Sequence, residues 1–318
     1  MTSFTCFLNN FSTKMQNSFW KNKKVVVTGS GGFLGGHFVY ELKKRQSKVI
    51  LASHDIVDLL DYDQTNSIFK NAEVVINCAA IDGNAEFKMR HAAEILDSNL
   101  RITSNVLNAA KANKVKDIVI FSSAEIYSPD APNPIKEEDD YRIYNEYNQN
   151  GYVLSKRYSE ILSDLYRKEF NLQIYIPRPS NIYGPNDHFS ANENRVIPSF
   201  IKKVAASEPI EIWGDGSQIR QFIYVKNVVC SVLSMIEKNY TGVLNISTDE
   251  FVSILDLAKI IYKCFNKTPS INLNPFKVIG VKNRILDISK MHELIDFKLS
   301  SLENGIQKTI NWYQNTNL

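Results

Sequence analysis

Tyr152 and Lys156, in the stretch Gly151-Tyr152-Val153-Leu154-Ser155-Lys156, stand four residues apart. That spacing brings two side chains to one face of a helix. An ammonium beside a phenol favours the phenolate, so such a pair can take a proton from an alcohol near neutral pH. This is the chemistry of alcohol oxidation and, run backward, of ketone reduction. The spacing also recurs at Tyr40 and Lys44 in a chain that holds 15 tyrosines, so the surrounding elements must decide which pair reacts.

Those elements begin at Val25-Val26-Val27-Thr28-Gly29-Ser30-Gly31-Gly32-Phe33-Leu34-Gly35, an apolar β-branched run followed by glycines and an amphipathic helical pattern. It reads as buried strand, tight turn and helix. Glycines at 29, 32 and 35 let the backbone approach a pyrophosphate, whose charge is favoured by the free N–H groups of a helix N-terminus. The spacing differs by one from the common dinucleotide fingerprint. Tyr40 falls at the far end of this helix, where its pairing with Lys44 is a solvated surface contact. A second apolar run, Ile118-Val119-Ile120-Phe121-Ser122-Ser123, ends in hydroxyls. Ligands of open α/β sheets lie at the carboxyl ends of strands, which makes Ser123 a candidate to bond a substrate alcohol and the Tyr152 oxygen. Singly, a glycine cluster is also a packing loop and a terminal serine also a cap; together with Tyr152 and Lys156 they describe one site.

The remaining pattern alternates short apolar runs at 49–52, 74–76, 118–121 and 174–176 with helical periodicity. Such alternation predicts an α/β fold, a doubly wound parallel sheet covered on both faces. From Asn181 the composition turns richer in Pro, Asn and aromatics, marking a smaller C-terminal lobe, with 222–225 and 243–246 expected to return to the edge of the first domain. We therefore divide the chain into a 1–19 extension, a 20–180 Rossmann domain and a 181–318 substrate lobe. At 318 residues and a net charge of +3 the chain suits a two-lobed enzyme and argues against nucleic acid as a partner. Cys6, Cys78, Cys230 and Cys264 are scattered, have no metal-ligand spacing and read as reduced thiols of a cytoplasmic protein. No apolar stretch approaches the roughly 18 residues of a membrane span. In the extension, Phe4, Phe7, Leu8, Phe11, Met15 and Phe19 form one apolar stripe, expected to lie as an arm against its own protein.

These residues resemble the extended short-chain dehydrogenases that modify nucleotide sugars. The resemblance runs from Lys23 onward and includes Asn77-Cys78-Ala79-Ala80, Asn99, Arg178-Pro179-Ser180-Asn181-Ile182-Tyr183-Gly184-Pro185, Trp213-Gly214-Asp215-Gly216 and Arg220-Gln221-Phe222-Ile223-Tyr224-Val225. Within the family the likeness is strongest to the GDP-fucose synthases, through the segments 184–189 and 194–198. It implies a cytoplasmic homodimer that binds NAD or NADP, a nucleoside diphosphate sugar and no metal, and that serves sugar-nucleotide biosynthesis for surface polysaccharide, with a GDP-linked sugar favoured.

By that resemblance Ser123, Tyr152 and Lys156 are catalytic, while Gly29, Gly31, Gly32, Phe33, Leu34, Gly35, Ser53, His54, Asp58, Leu59, Ala79 and Ala80 border the cofactor. Asn181, Val196, Arg220 and Arg284 border the sugar nucleotide, the arginines because a planar fork suits phosphate oxygens. Ser53 replaces the acid that binds the adenosine ribose of NAD, a small argument for NADP. Two departures matter. Glu125 and Asn186 align with the Cys and His that move protons at the epimerised carbons of GDP-fucose synthases, and Asn186 cannot do acid–base work, although His188 stands two positions on. In contrast, Ser123-Ala124-Glu125-Ile126-Tyr127 resembles the segment of 4,6-dehydratases and decarboxylases whose Glu is functional, so Glu125 is a candidate base at carbon 5. Oxidation at carbon 4 then leads to epimerisation, dehydration or a released ketone, or runs backward as reduction. A non-catalytic cofactor-binding scaffold is the alternative from another class.

Overall fold

The computed structural model describes residues 18–140, 150–189, 195–277 and 280–316. Most of the apolar stripe, Phe4 to Met15, lies outside them, as do Cys6 and Asn194. In chain order the elements are β1 (Lys24–Thr28), α1 (Phe33–Lys44), β2 (Lys48–Ala52), α2 (Tyr62–Ile68), β3 (Val74–Asn77), α3 (Ala85–Arg90), α4 (Ala92–Ala112) and β4 (Asp117–Ile120). A short 3-10 turn at Ala124–Ile126 precedes α5 (Gly151–Phe170), β5 (Gln173–Pro179), β6 (Asn181–Tyr183), α6 (Val196–Ala205), β7 (Ile210–Trp213), β8 (Ile219–Arg220) and β9 (Phe222–Tyr224). There follow α7 (Val225–Glu237), β10 (Gly242–Ile246), β11 (Val252–Ser253), α8 (Ile254–Cys264), β12 (Ile271–Asn274), β13 (Asn283–Arg284), α9 (Ser289–Leu294) and α10 (Leu302–Thr316).

The central sheet has six parallel strands in the order β10-β5-β4-β3-β1-β2, the Rossmann-type arrangement that the alternation predicts. The inner strands β1, β3 and β4 are mostly apolar and buried because both faces are covered. In β1, Val25 and Val27 enter a core shared with Phe38 and Leu42 of α1 and with Val228 and Val232 of α7. Val26 points the other way, into a core with Val106 and Leu107 of α4 and Ile118 of β4. Burying each such side chain is worth roughly 1.5–3 kcal/mol, so a polar residue on either face of this strand is costly.

A third core joins Ile197 and Ile201 of α6, Ile210 and Ile212 of β7, Leu257 and Ile261 of α8 and Ile306 of α10. The two segments expected to return to the first sheet's edge, 222–225 and 243–246, differ in outcome. β10 returns there, pairing with β5 through Leu244 opposite Pro177. β9 instead pairs with β6 in a two-stranded sheet, Ile182 opposite Ile223. The reason is its alternation: Phe222 and Tyr224 enter the third core and Ile223 the first, so this short strand joins two cores.

The described end of the apolar stripe rests on the protein itself. Trp20 is fully buried, with Phe19 edge-on to it at 5.0 Å, and its indole N–H donates to Glu237 at the end of α7.

Candidate active site

Strand order reverses at β1: the chain steps to β2 on one side and then to β3 on the other. A crevice opens there at the carboxyl ends of the strands, where open α/β sheets take ligands. Its volume is about 930 Å³. Gly29 turns the chain at φ +61°, a conformation that side chains disfavour, and its N–H donates to the Ala52 carbonyl at 2.9 Å. A Cβ on Gly35 would stand 2.1 Å from the Gly29 carbonyl oxygen, so only glycine lets α1 begin this close to the strand. α1 starts after Gly32 with no side-chain cap, which leaves its first N–H groups available to an anion. The cradle fits the pyrophosphate of a nicotinamide dinucleotide.

The other cofactor candidates border the same crevice: Gly31, Phe33 and Leu34 from the turn, Ser53 and His54 beyond β2, Asp58 and Leu59 before α2, and Ala79 and Ala80 beyond β3. The Asp58 carboxylate also accepts the Leu60 N–H at 2.9 Å, so this residue shapes its own turn as well. Cys78 borders the crevice, and burial pushes its thiol up, out of reach of thiolate chemistry.

α5 delivers the Tyr-Lys pair. The Asn150 side chain caps the helix by accepting N–H bonds from Tyr152 and Val153 at 3.0 and 3.3 Å. A Cβ on Gly151 would lie 1.9 Å from the Ala92 carbonyl oxygen, so glycine permits α5 to start against α4. Tyr152 therefore enters the crevice in the first turn, 9% exposed, with Lys156 one turn behind. The Lys156 ammonium donates to the Phe121 carbonyl at 2.8 Å and lies 5.5 Å from the Tyr152 ring centroid. Ser123 caps the 3-10 turn by accepting the Glu125 N–H at 3.1 Å, and it borders the crevice beside Tyr152, whose phenol pKa it lowers in part. Its cap role and its place beside the phenol thus coexist. Tyr40, by contrast, is 70% exposed on α1 and borders no part of the crevice.

The electrostatics differ from the sequence expectation in one respect. Lys156 is expected to lower the pKa of Tyr152, yet the phenol is held well above its ordinary value. Burial is the largest cause, the Asp82 and Glu125 carboxylates add to it, and the Ser123 hydrogen bond opposes it only in part. Lys156 itself is lowered to about 8, chiefly by burial. Tyr152 therefore holds its proton in this state.

Four further charged side chains complete the wall, Asp82 and Lys88 from a stretch that no motif marked and Asp187 and Arg195 from the segments 184–189 and 194–198. Lys88 of α3 is buried, with its ammonium 3.0 and 3.1 Å from the two Glu125 oxygens, 3.0 Å from Asp82 and 3.9 Å from the Tyr152 ring centroid. Arg195, at the start of α6, reaches Asp82 at 3.3 Å and Asp187 at 3.2 Å. Burial pushes the Asp82 carboxyl up, but Lys88 and Arg195 outweigh it and leave it below its usual value. A single lysine in a six-residue helix leaves no sequence signal, because its partners arrive from other elements.

On the opposite wall Asn181, Val196, Arg220 and Arg284 border the crevice. Asn181 donates to the Gln221 carbonyl at 2.9 Å. Arg220 donates to the carbonyls of Ile219 at 2.8 Å, Lys282 at 3.2 Å and Val281. Burial, and then the neighbouring Arg284, lower Arg220 to about 10. Arg284 Nε is buried with no hydrogen-bond partner. Two guanidiniums this close, one with an unused donor, suit an anion such as a diphosphate. Asn186 is exposed and off the crevice, whereas His188 borders it and donates its backbone N–H to Asp187 at 2.8 Å. Among the described residues no group of His, Cys, Asp or Glu side chains could hold a metal ion, and no helix is long and apolar enough to cross a membrane.

Residues 25–247 match the model of the NAD dependent epimerase/dehydratase family. The chain is 40% identical over 317 residues to a dTDP-4-dehydro-6-deoxy-D-allose reductase of a Streptomyces species, covering 93% of this chain and 97% of that one. It is 27% identical to GDP-L-fucose synthase 1 of Arabidopsis thaliana, over 92% and 94% of the two chains. Among solved structures, a UDP-N-acetylglucosamine 4-epimerase from Methanobrevibacter ruminantium M1, in complex with UDP-N-acetylmuramic acid, superposes with a TM-score of 0.85 at 25% identity, covering 93% of this chain and 99% of that one.

Proposed function

The chain belongs to the NAD dependent epimerase/dehydratase family, an NAD(P)-dependent enzyme class acting on nucleotide sugars, and from that premise we propose that it reduces the carbon-4 ketone of a nucleoside diphosphate 4-keto-6-deoxyhexose. The reading is carried by the 40% identity to a 4-keto-sugar reductase over almost the whole chain, and Tyr152, buried in the crevice with its phenol held above the ordinary value chiefly by burial, can supply the proton that reduction needs.

When bound, the nicotinamide cofactor supplies the hydride to carbon 4. Ser123 orients the ketone oxygen, and Tyr152 donates its proton as negative charge develops there. Lys156, one helical turn behind, holds the cofactor ribose and stabilises the phenolate that results. Gly29, Gly32 and the N-terminus of α1 hold the pyrophosphate, with Gly31, Phe33, Leu34, Gly35, Ser53, His54, Asp58, Leu59, Ala79 and Ala80 around the rest. Arg220 and Arg284 hold the sugar-nucleotide diphosphate, beside Asn181 and Val196. In this division 20–180 carries the cofactor and 181–318 the sugar nucleotide. Ser53 presents no carboxylate to repel a 2′-phosphate, which supports NADPH, although Asp55 also borders the crevice and makes the preference small.

The name of the 40% identical relative supports a dTDP-linked substrate ahead of the GDP-linked one that the residue resemblance favours. The product is a deoxysugar donor for glycosyl transfer, with a surface polysaccharide as the proposed destination. The test is incubation of the purified chain with dTDP-4-keto-6-deoxyglucose or GDP-4-keto-6-deoxymannose and NADPH or NADH, followed by product NMR. Loss of NADPH absorbance with a new carbon-4 alcohol is the expected result. If neither ketone is consumed while a 4-hydroxy nucleotide sugar is epimerised, the enzyme is a 4-epimerase instead.

A further inference from the structure

Glu125 faces the crevice two residues beyond Ser123, where a free carboxylate beside a ketosugar would act as a base. It is not free. Both of its oxygens lie within 3.1 Å of the Lys88 ammonium, which is buried, 6% exposed, and also gripped by Asp82. The same ammonium covers the face of the Tyr152 ring at 3.9 Å. Lys88 is therefore braced from two sides, and its departure would leave Glu125 without its contact cation, whereas Asp82 would keep Arg195.

Resting on the reductase reading, we propose that Lys88 is a specificity-determining residue: it ties up Glu125 as an ion pair, so that the ketone is reduced without enolisation at the neighbouring carbons. A ketone at carbon 4 acidifies the C–H bonds at carbons 3 and 5. A free carboxylate would take such a proton, the C–H electron pair would become the enolate, and return of a proton from solvent to either face would exchange or invert the carbon. A carboxylate whose two oxygens are both engaged by one ammonium is held in place by those contacts and is not free to turn onto a sugar C–H bond. Asp82 contributes by holding Lys88, and through Arg195 it connects this brace to α6 on the substrate side.

The experiment incubates the full chain with NADP+ and dTDP-4-keto-6-deoxyglucose in D2O and follows deuterium at carbons 3 and 5 by proton NMR. Wild type should exchange no faster than buffer. Lys88→Met should raise exchange at one of these carbons at least tenfold, Lys88→Arg should not, and Lys88→Met/Glu125→Gln should return it to the wild-type rate. Rapid exchange in wild type overturns the proposal without any variant. So does a folded Lys88→Met, checked by circular dichroism, that exchanges no faster than wild type, or a double variant that keeps the exchange. If Lys88→Met does not fold, Lys88→Gln takes its place and the wild-type measurement still stands. NADPH oxidation, measured separately, reports the reductase reading: its absence in wild type rejects that reading, whereas exchange alone rejects the brace.

Discussion

Arg178 clasps Glu160 with two hydrogen bonds, Nε at 2.8 Å and Nη2 at 2.6 Å, where neither side chain meets appreciable solvent. Arg178 lies on β5 and Glu160 on α5, two turns beyond Tyr152. The same guanidinium reaches Asp140 at 3.2 Å, the Tyr127 hydroxyl at 2.9 Å and the Glu137 carbonyl at 2.8 Å. It fixes the helix that carries the reacting phenol to the sheet beneath it. Arg178→Met should lower unfolding free energy by about 3–5 kcal/mol, because it leaves buried carboxylates without their cation. Urea denaturation reads this, and a loss under about 1 kcal/mol would mean that the network contributes little.

Neighbouring glycines in α1 should respond in opposite senses. Gly35→Ala places a methyl on the Gly29 carbonyl, whereas a Cβ on Gly36 meets nothing closer than 3.8 Å. Gly36→Ala should leave cofactor affinity unchanged and stabilise the chain by up to about 1 kcal/mol, the helix preference of alanine over glycine. Gly35→Ala should weaken dinucleotide binding at least tenfold by spreading the cradle. Fluorescence titration with NADPH and thermal melts compare the two.

Tyr152→Phe should lower turnover at least about a hundredfold while leaving cofactor binding intact, the scale of lost acid–base catalysis. Tyr40→Phe, on the surface, should be silent. The reduction rate should fall as pH rises through about 8, where Lys156 loses its charge, and Lys156→Met should remove that limb. Stability moves the other way. The folded value of Lys156 lies below its ordinary 10.5, so between the two the unfolded chain binds more protons and this group's contribution to stability rises with pH. A rate unchanged from pH 7 to 9.5 would remove Lys156 from the chemistry.

Arg220→Ala and Arg284→Ala should each raise KM for the sugar nucleotide about tenfold or more, the scale of one charge-assisted contact, with little change in cofactor affinity. For Arg220 the alternative is a structural role, since three backbone carbonyls already accept from it. If its alanine variant melts several degrees lower and KM is unchanged, the carbonyls are its purpose.

Tyr158, Ile161 and Leu165 form an exposed apolar stripe on α5, with Leu165 54% exposed. Their spacing places them on one face of the helix. A homodimer through this face should be seen by light scattering, and Ile161→Glu/Leu165→Glu should yield a monomer that remains folded. A monomeric wild type would dismiss the assignment.

Short-range spacing in the chain encodes its local elements. The apolar run at 25–27 and the glycines after it dictate strand and turn because backbone sterics are local, and Tyr152 and Lys156 share a helix face because the helical repeat is fixed. β10 joins the main sheet as its composition suggests. Tertiary structure decided matters that depend on distant partners. Lys88 meets Glu125 across 37 positions, and Arg195 meets Asp82 across 113, separations that carry no periodic signal. β9 pairs with β6 because its two faces are claimed by different cores. The Tyr152 phenol stands above its ordinary value because burial and two carboxylates act on it together, and the field at a side chain is a sum over neighbours that exists only once the chain has folded.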